Sequence, residues 1–333
     1  METVEAMKDP WSKSRVLVTG ATGMVGAWLV KELLRRGAYV AALVMDGDPQ
    51  SELYRSGDVQ RTSVVNGRLE DFRTLERAVS LHEIDTVFHL GAQAIVGAAQ
   101  RIPLATFEAN IRGTYNLLEA CRLHRDLVRR VVIASSDKAY GDQGKKPYEE
   151  TMELRGRRPY EVSKSCADLL AQSYHHSYGS PVAIARCGNI YGGGDLNWSR
   201  IVPGTIRSLL RGERPLIRSN GAYVRDYFFV KDAVAAYLGL AENLADSRVR
   251  GECFNFGPKK PSTVTEIVAE IQRLMGTRLK PDIRDQVRGE LVSQHVCSAK
   301  AEALLGWKTG YGLEQGLAET IAWYKDFLQG PLR

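Results

Sequence analysis

"VLVTGATGMVGAWLV", residues 16–30, opens as a short β-branched run, turns through three glycines and closes as an amphipathic segment. Gly20, Gly23 and Gly26 fall between the strand-like and helix-like parts with GxxGxxG spacing. Glycine at such a turn lets the backbone approach an anion closely, the helix start offers free N–H groups to it, and the last glycine allows tight helix packing. Position carries this reading more than glycine content does: a strand before and a helix after is the setting of a dinucleotide pyrophosphate site. The choice of dinucleotide falls on the end of the second strand, "AALVMDGD" (41–48). Asp46 there is a candidate acceptor for a ribose 2′-OH, and no arginine stands at the tip to receive a 2′-phosphate, so NAD is expected over NADP. The competing reading makes Asp46 the start of a polar loop.

Outward from this turn, short apolar runs alternate with helical ones: "YVAALV", "LEDFRTLERAVSLHE", "DTVFHLGA", "TFEANIRGTYNLLEACRLH", "RRVVIASS", "YEVSKSCADLLAQSYHHSYG" and "PVAIARCGN". Strands of that kind are buried on both faces, and their alternation with helices implies βαβ units. We expect an α/β fold, a Rossmann-like doubly wound parallel sheet over 12–188 with a return segment at about 225–248. A smaller, discontinuous α/β substrate-binding lobe is expected from 189–224 and 249–333, where the texture turns glycine-rich.

With 333 residues, 44% hydrophobic and 25% charged, the chain has the composition of a globular protein and no sign of disorder. The net charge of +6 comes from scattered pairs such as Arg35-Arg36 and Lys145-Lys146. That pattern reads as a solvated surface and not as a nucleic-acid footprint, while leaving room for an anionic small substrate. The 5 cysteines form no CxxC pair, which argues against a zinc site or disulfide framework and for a reducing compartment. His175 and His176 are adjacent on a helix and point to different faces, so no metal is expected. The start "METVEAMKDPW" lacks an apolar core, and no apolar run nears about 18 residues. A cytoplasmic protein without membrane contact is the expectation.

"PYEVSK" (159–164) places Tyr160 and Lys164 four apart, on one face of a helix start. A cation beside a phenol favours the phenolate, which can take a proton from a hydroxyl. Taken alone, such a pair is more often packing.

"TGATGMVG", "HLGAQ", "SSDKAYG" and "YEVSK", in that order, resemble the extended short-chain dehydrogenase/reductase family of nucleotide-sugar enzymes. "ANIRGTYNLLEAC", "ARCGNIYGGGD", "RDYFFVKDAV", "FNFGP" and "AKAEALLGW" extend the likeness over nearly the whole chain. The resemblance implies Ser136, Tyr160 and Lys164 as the catalytic set, with Lys164 also holding the nicotinamide ribose. It implies Gly20, Thr22, Gly23, Met24, Val25, Gly26, Leu69, Leu90 and Ala92 as cofactor contacts. For the substrate it implies Gln93, with Asn189, Arg225 and Arg288 toward a diphosphate, which the planar guanidinium fork suits. Arg200 falls in an expected substrate loop. Tyr191, Trp198 and Tyr223 read as packing before stacking. A homodimer through helices around 107–122 and 160–178 is also implied.

Two departures stand out. "NGRLED" puts Arg68 where relatives carry an adenine-reading aspartate, leaving Asp71 or the Leu69 backbone for that task, and Val44 occupies the usual place of the ribose aspartate.

Asp137 and Lys138, directly after the serine, exceed what a simple epimerase of that family needs. An acid and a base there resemble the 4,6-dehydratase branch, and the Asp-Lys form resembles the enzymes of CDP-glucose and some that dehydrate UDP-N-acetylglucosamine. In that chemistry Tyr160 takes the C4 hydroxyl proton, a neutral Lys138 the C5 proton, and a protonated Asp137 assists departure of the C6 hydroxyl. Burial favours both neutral forms. The expected product is a 4-keto-6-deoxy sugar nucleotide. The alternatives are a 4-epimerase or decarboxylase of the same family, or a non-catalytic NAD-binding scaffold.

Overall fold

The computed structural model describes residues 9–286 and 291–329. Its strands are β1 (Arg15–Thr19), β2 (Tyr39–Val44), β3 (Ser63–Asn66), β4 (Thr86–His89), β5 (Arg130–Ala134), β6 (Val182–Cys187), β7 (Asn189–Tyr191), β8 (Leu216–Ile217), β9 (Val224–Arg225), β10 (Tyr227–Phe229), β11 (Cys253–Phe256), β12 (Ser262–Thr263), β13 (Asp282–Ile283) and β14 (Ser293–Gln294). The helices are α1 (Met24–Arg35), α2 (Glu52–Arg55), α3 (Phe72–Leu81), α4 (Val96–Arg101), α5 (Pro103–Phe107), α6 (Gly113–Leu123), α7 (Pro159–Tyr178), α8 (Ile201–Leu210), α9 (Val230–Asn243), α10 (Val264–Met275), α11 (Ala299–Leu305) and α12 (Leu313–Gln329).

Seven parallel strands form the central sheet in the order β11-β6-β5-β4-β1-β2-β3. The inner strands are mostly Val, Ile, Leu and Ala, as in β1, β2 and β5, which suits burial on both faces. One face packs Leu29, Leu33, Ala233, Ala236 and Tyr237 of α1 and α9 over Val16, Val40 and Phe254. The other packs Leu75, Val79, Leu117 and Cys121 of α3 and α6 over Leu17, Val87 and Ile133. Val16 pairs with Val40 of β2 on one side and with Thr86 of β4 on the other. The strand order reverses at β1, and a crevice opens there beyond the carboxyl ends of the strands, where such sheets bind ligands.

The sheet's edge strand β11 lies beyond the return segment expected to end near 248. "CFNF" is only four residues long, and its complete burial comes from pairing with β6, a tertiary cause that a local pattern does not reveal. A third core, of Val202, Ile206, Ile267, Ile271, Leu317, Ile321 and Tyr324, joins α8, α10 and α12. Over the same cleft β9 lies between β12 and β14.

Candidate active site

The glycine turn follows from steric necessity. Gly20 has φ +70, and a Cβ on it would lie 2.7 Å from the Gly91 nitrogen. A Cβ on Gly26 would lie 2.1 Å from the Gly20 carbonyl oxygen. The N-cap of α1, Gly23, makes no side-chain hydrogen bond, so the first turn of the helix is left open to the cleft. Gly20, Thr22, Gly23, Met24, Val25, Gly26, Leu69, Leu90 and Ala92 all line one cleft of about 970 Å³. Asp46 is exposed in the turn after β2 and is not among the lining residues; Met45 and Arg68 are. Asp71 caps α3, accepting from the Arg73 and Thr74 amides.

Across this cleft the residues singled out around β5 and α7 come together. Ser136, two residues past the end of β5, caps a single 3₁₀ turn, Asp137–Tyr140. Its Oγ accepts from the Lys138 amide at 3.2 Å and donates to Asp137 Oδ1 at 3.0 Å. Asp137 is 1% exposed, its Oδ2 makes no hydrogen bond, and Lys138 Nζ stands 3.5 Å from that oxygen. Lys138 Nζ also donates to Gln294 Oε1. A buried network fixes the turn from behind: Arg186 donates to both Asp168 oxygens and to the Tyr140 hydroxyl, which donates to Asn255.

Pro159 starts α7, and Glu161 accepts from the Arg157 and Arg158 amides, so the chain enters the helix at a fixed angle. Tyr160 is half-buried at the cleft wall. Burial pushes its phenol up to about 12, against the downward pull of a hydrogen bond to Ser136 and of Arg200, while Asp137 adds to the rise. Lys164, one turn on, is buried and donates to the Ala134 carbonyl at 2.7 Å. Burial lowers its ammonium to about 8, with Cys187 and Asp168 opposing.

Asn110, absent from the expected site, sits in a π-helical turn, Glu108–Arg112, between α5 and α6. Its side chain accepts from the Gln93 amide at 2.7 Å and donates to the Gln93 carbonyl and to Ser163 Oγ. Ser163 in turn donates to the Tyr160 carbonyl, so Asn110 ties the Gln93 loop to the start of α7. Behind it runs a chain whose direction is fixed. Thr114 donates its one proton to the Asn110 carbonyl, so His89 donates from Nε2 to Thr114 and accepts at Nδ1 from Thr19, which accepts from the Gly91 amide. Burial lowers His89 to about 3, which keeps this ring neutral. An asparagine inside a helical stretch was the signal available in the sequence.

At the opposite end Asn189 and four arginines line the cleft. Arg200 is held by Asp195 at 3.0 Å, and Arg225 donates to the Val224 carbonyl. Arg207 lies over the Trp198 ring and Arg218 donates to the Ser199 carbonyl. Arg207 follows Arg200 by seven residues, two helical turns on the same face, a spacing that could have revealed it; Arg218 carries no such signal. Arg288 lies outside the described residues. Among the described residues no group of three or more His, Cys, Asp or Glu could hold a metal, and no helix is long and apolar enough to cross a membrane.

The model of the NAD dependent epimerase/dehydratase family matches residues 16–257. The chain is 30% identical to a CDP-glucose 4,6-dehydratase of Salmonella typhimurium, over 97% of this chain and 94% of that one. The structure of a UDP-glucose 4-epimerase from Thermotoga maritima, solved with UDP-glucose, superposes with a TM-score of 0.86 at 29% identity, covering 94% and 99% of the two chains. A dTDP-glucose 4,6-dehydratase from Streptomyces venezuelae, solved with NAD bound, superposes with a TM-score of 0.84 at 27% identity, covering 96% and 100%.

Proposed function

The chain belongs to the NAD dependent epimerase/dehydratase family, and from that premise we propose that it is a nucleotide-sugar 4,6-dehydratase, with CDP-glucose the favoured substrate. The observation that carries the choice is the buried Asp137 with Lys138 Nζ 3.5 Å away, in the same cleft as Ser136 and Tyr160. An epimerase requires no acid and base there.

The glycine turn fits a dinucleotide, since without a Cβ at Gly20 and Gly26 the backbone packs tightly on Gly91 and Gly20 and holds the start of α1 at the cleft. Gly20, Thr22, Gly23, Met24, Val25, Gly26, Leu69, Leu90 and Ala92 would hold NAD, with Lys164 at its ribose. When bound, NAD supplies the two-electron acceptor that oxidises C4 and returns the electrons at C6. Tyr160 takes the C4 hydroxyl proton. Asp137 and Lys138 as neutral acid and neutral amine differ from the ion pair by the position of one proton, so a single transfer between them sets both roles. Lys138 then removes the C5 proton, made acidic by the C4 ketone, while Asp137 gives its proton to the C6 hydroxyl, which leaves as water. Lys138 returns its proton to C5. Ser136 touches both Tyr160 and Asp137, so the proton taken from the C4 hydroxyl can replace the one Asp137 has spent. The proton count closes without solvent. Arg200, Arg207, Arg218 and Arg225 give the far end of the cleft the charge that a nucleoside diphosphate requires, with Gln93 and Asn189 toward the sugar and the diphosphate. The same reading carries a homodimer through α6 and α7.

Incubation with CDP-, dTDP-, UDP- and GDP-glucose, without added reduced cofactor, tests this. One nucleotide sugar should lose one water by mass and give the absorbance of a 4-ketone in base. Interconversion of two sugars at constant mass would select the epimerase reading, and conversion of none of them, with Tyr160→Phe leaving every measurable property unchanged, would favour the scaffold.

A further inference from the structure

Lys138 is gripped from outside its own segment. Gln294, 3% exposed, presents Oε1 to the Lys138 amine and lines the cleft. Three separate contacts fix where it stands. The Tyr148 amide donates to the His295 carbonyl and the Cys297 amide to the Tyr148 carbonyl, stitching this strand to the segment that follows the Asp137–Tyr140 turn. The Val296 amide donates to Asp226 Oδ2 at 2.9 Å. Asp226 itself is seated by Gly188 and Gly257, where added Cβ atoms would come within 2.6 and 2.8 Å of it. In the β9–β14 ladder Gln294 pairs with Arg225, so one strand pair delivers both a cation for the diphosphate and the partner of the amine. The Gln294 side chain also reaches the Tyr148 hydroxyl, which donates to the Gly141 carbonyl.

We infer that Gln294 is the positioning residue of Lys138: a neutral acceptor that holds the amine beside Asp137 without fixing a proton on it, and so directs the reaction to elimination. This rests on the dehydratase reading. The acceptor's neutrality matters because a carboxylate at the same place would favour the ammonium, which cannot take the C5 proton. The other titratable and charged groups around the pair are Asp226 and Arg225 beside β9 and β10, Tyr148 across the stitched strand, Tyr160 on α7 and His295 next to Gln294. Burial raises Asp226 to about 8, so it faces the pair as a neutral acid, and pushes the Tyr148 phenol up to about 12. Asp137 is the one carboxylate left to pair with Lys138.

The test compares wild type with Gln294→Glu, Gln294→Leu and Gln294→Asn. Two partial reactions are read on the nucleotide hexose that wild type converts: solvent deuterium entering C5, and reduction of bound NAD in a single turnover. In Gln294→Glu the C5 exchange should fall about tenfold relative to C4 oxidation for each pH unit that its profile moves upward. Gln294→Leu should lower exchange relative to oxidation without that displacement, and Gln294→Asn should restore part of it. Equal losses in both partial reactions would reduce Gln294 to a structural role, and an unchanged ratio in both Gln294→Glu and Gln294→Leu would overturn the inference. A second readout needs no substrate: competitive acetylation of Lys138, followed by peptide mass, should shift to higher pH in Gln294→Glu. If no sugar is dehydrated, the functional reading falls, and this labelling still decides the contact. An unshifted labelling curve would sink it.

Discussion

At the residue scale the informative group is a buried carboxyl that the motifs do not single out. Asp226 is 1% exposed, its Oδ1 has no hydrogen-bond partner, and its usual value of 3.8 rises to about 8. Burial is the main cause and the Asp137 charge adds to it, against the Val296 N–H and Lys138. A raised acid binds a proton in the folded state that the unfolded chain has released. Between about pH 4 and pH 8 this group therefore makes stability fall as pH rises, by up to about 1.4 kcal/mol per unit. Asp226→Asn keeps an acceptor for Val296 and does not titrate. Urea midpoints at about pH 5 and pH 8 should thus diverge less in the variant than in wild type, and equal slopes would place the titration elsewhere. Other single residues differ in how far the sequence discloses them. Ser136, Tyr160 and Lys164 stand in motifs whose spacing is local. Asp46 falls short of the cleft because β2 ends at Val44 and the chain leaves through an exposed turn. Gln294 reaches its partner across 156 positions, beyond any local pattern.

Among elements, the turn between β1 and α1 tolerates least. The nearest neighbour of an added Gly26 Cβ is backbone, so the chain itself must move. Gly26→Ala should weaken NAD binding about tenfold or more, near 1.4 kcal/mol, by fluorescence titration of the reduced cofactor. Gly239→Ala, in open space within α9, should be neutral or stabilising by about 0.5–1 kcal/mol. Comparable losses in both would show that helix strain, not the cradle, is being measured. The parallel sheet was legible because its strands are apolar on both faces and separated by helices of strong periodicity. The π-turn at Asn110 was not, because one extra residue in a helical turn leaves the apolar period almost unchanged.

Over the whole molecule, α5, α6 and α7 expose Leu104 (71%), Leu123 (53%), Leu169 (57%) and Tyr178 (58%), a large apolar surface for helices that otherwise bury theirs. If these helices meet their copies in a homodimer, Leu169→Arg should halve the mass measured by light scattering and leave the circular dichroism intact; a variant still dimeric would move the interface elsewhere. The overall α/β plan followed from alternation of elements, whereas the cover of the cleft did not, since its strands are two or three residues long and owe their pairing to distant partners.

The grip of Gln294 on Lys138 also orders events in time. Chains emerge from the ribosome amino end first, and domains form as their segments become available. Once Phe256 is out, every strand of the central sheet exists, and with it the dinucleotide cradle. The amine still lacks its partner until β14 follows. On the dehydratase reading, the strands of the cofactor cradle therefore precede the partner of the eliminating amine along the chain, and NAD, by binding the folded state, favours that sheet.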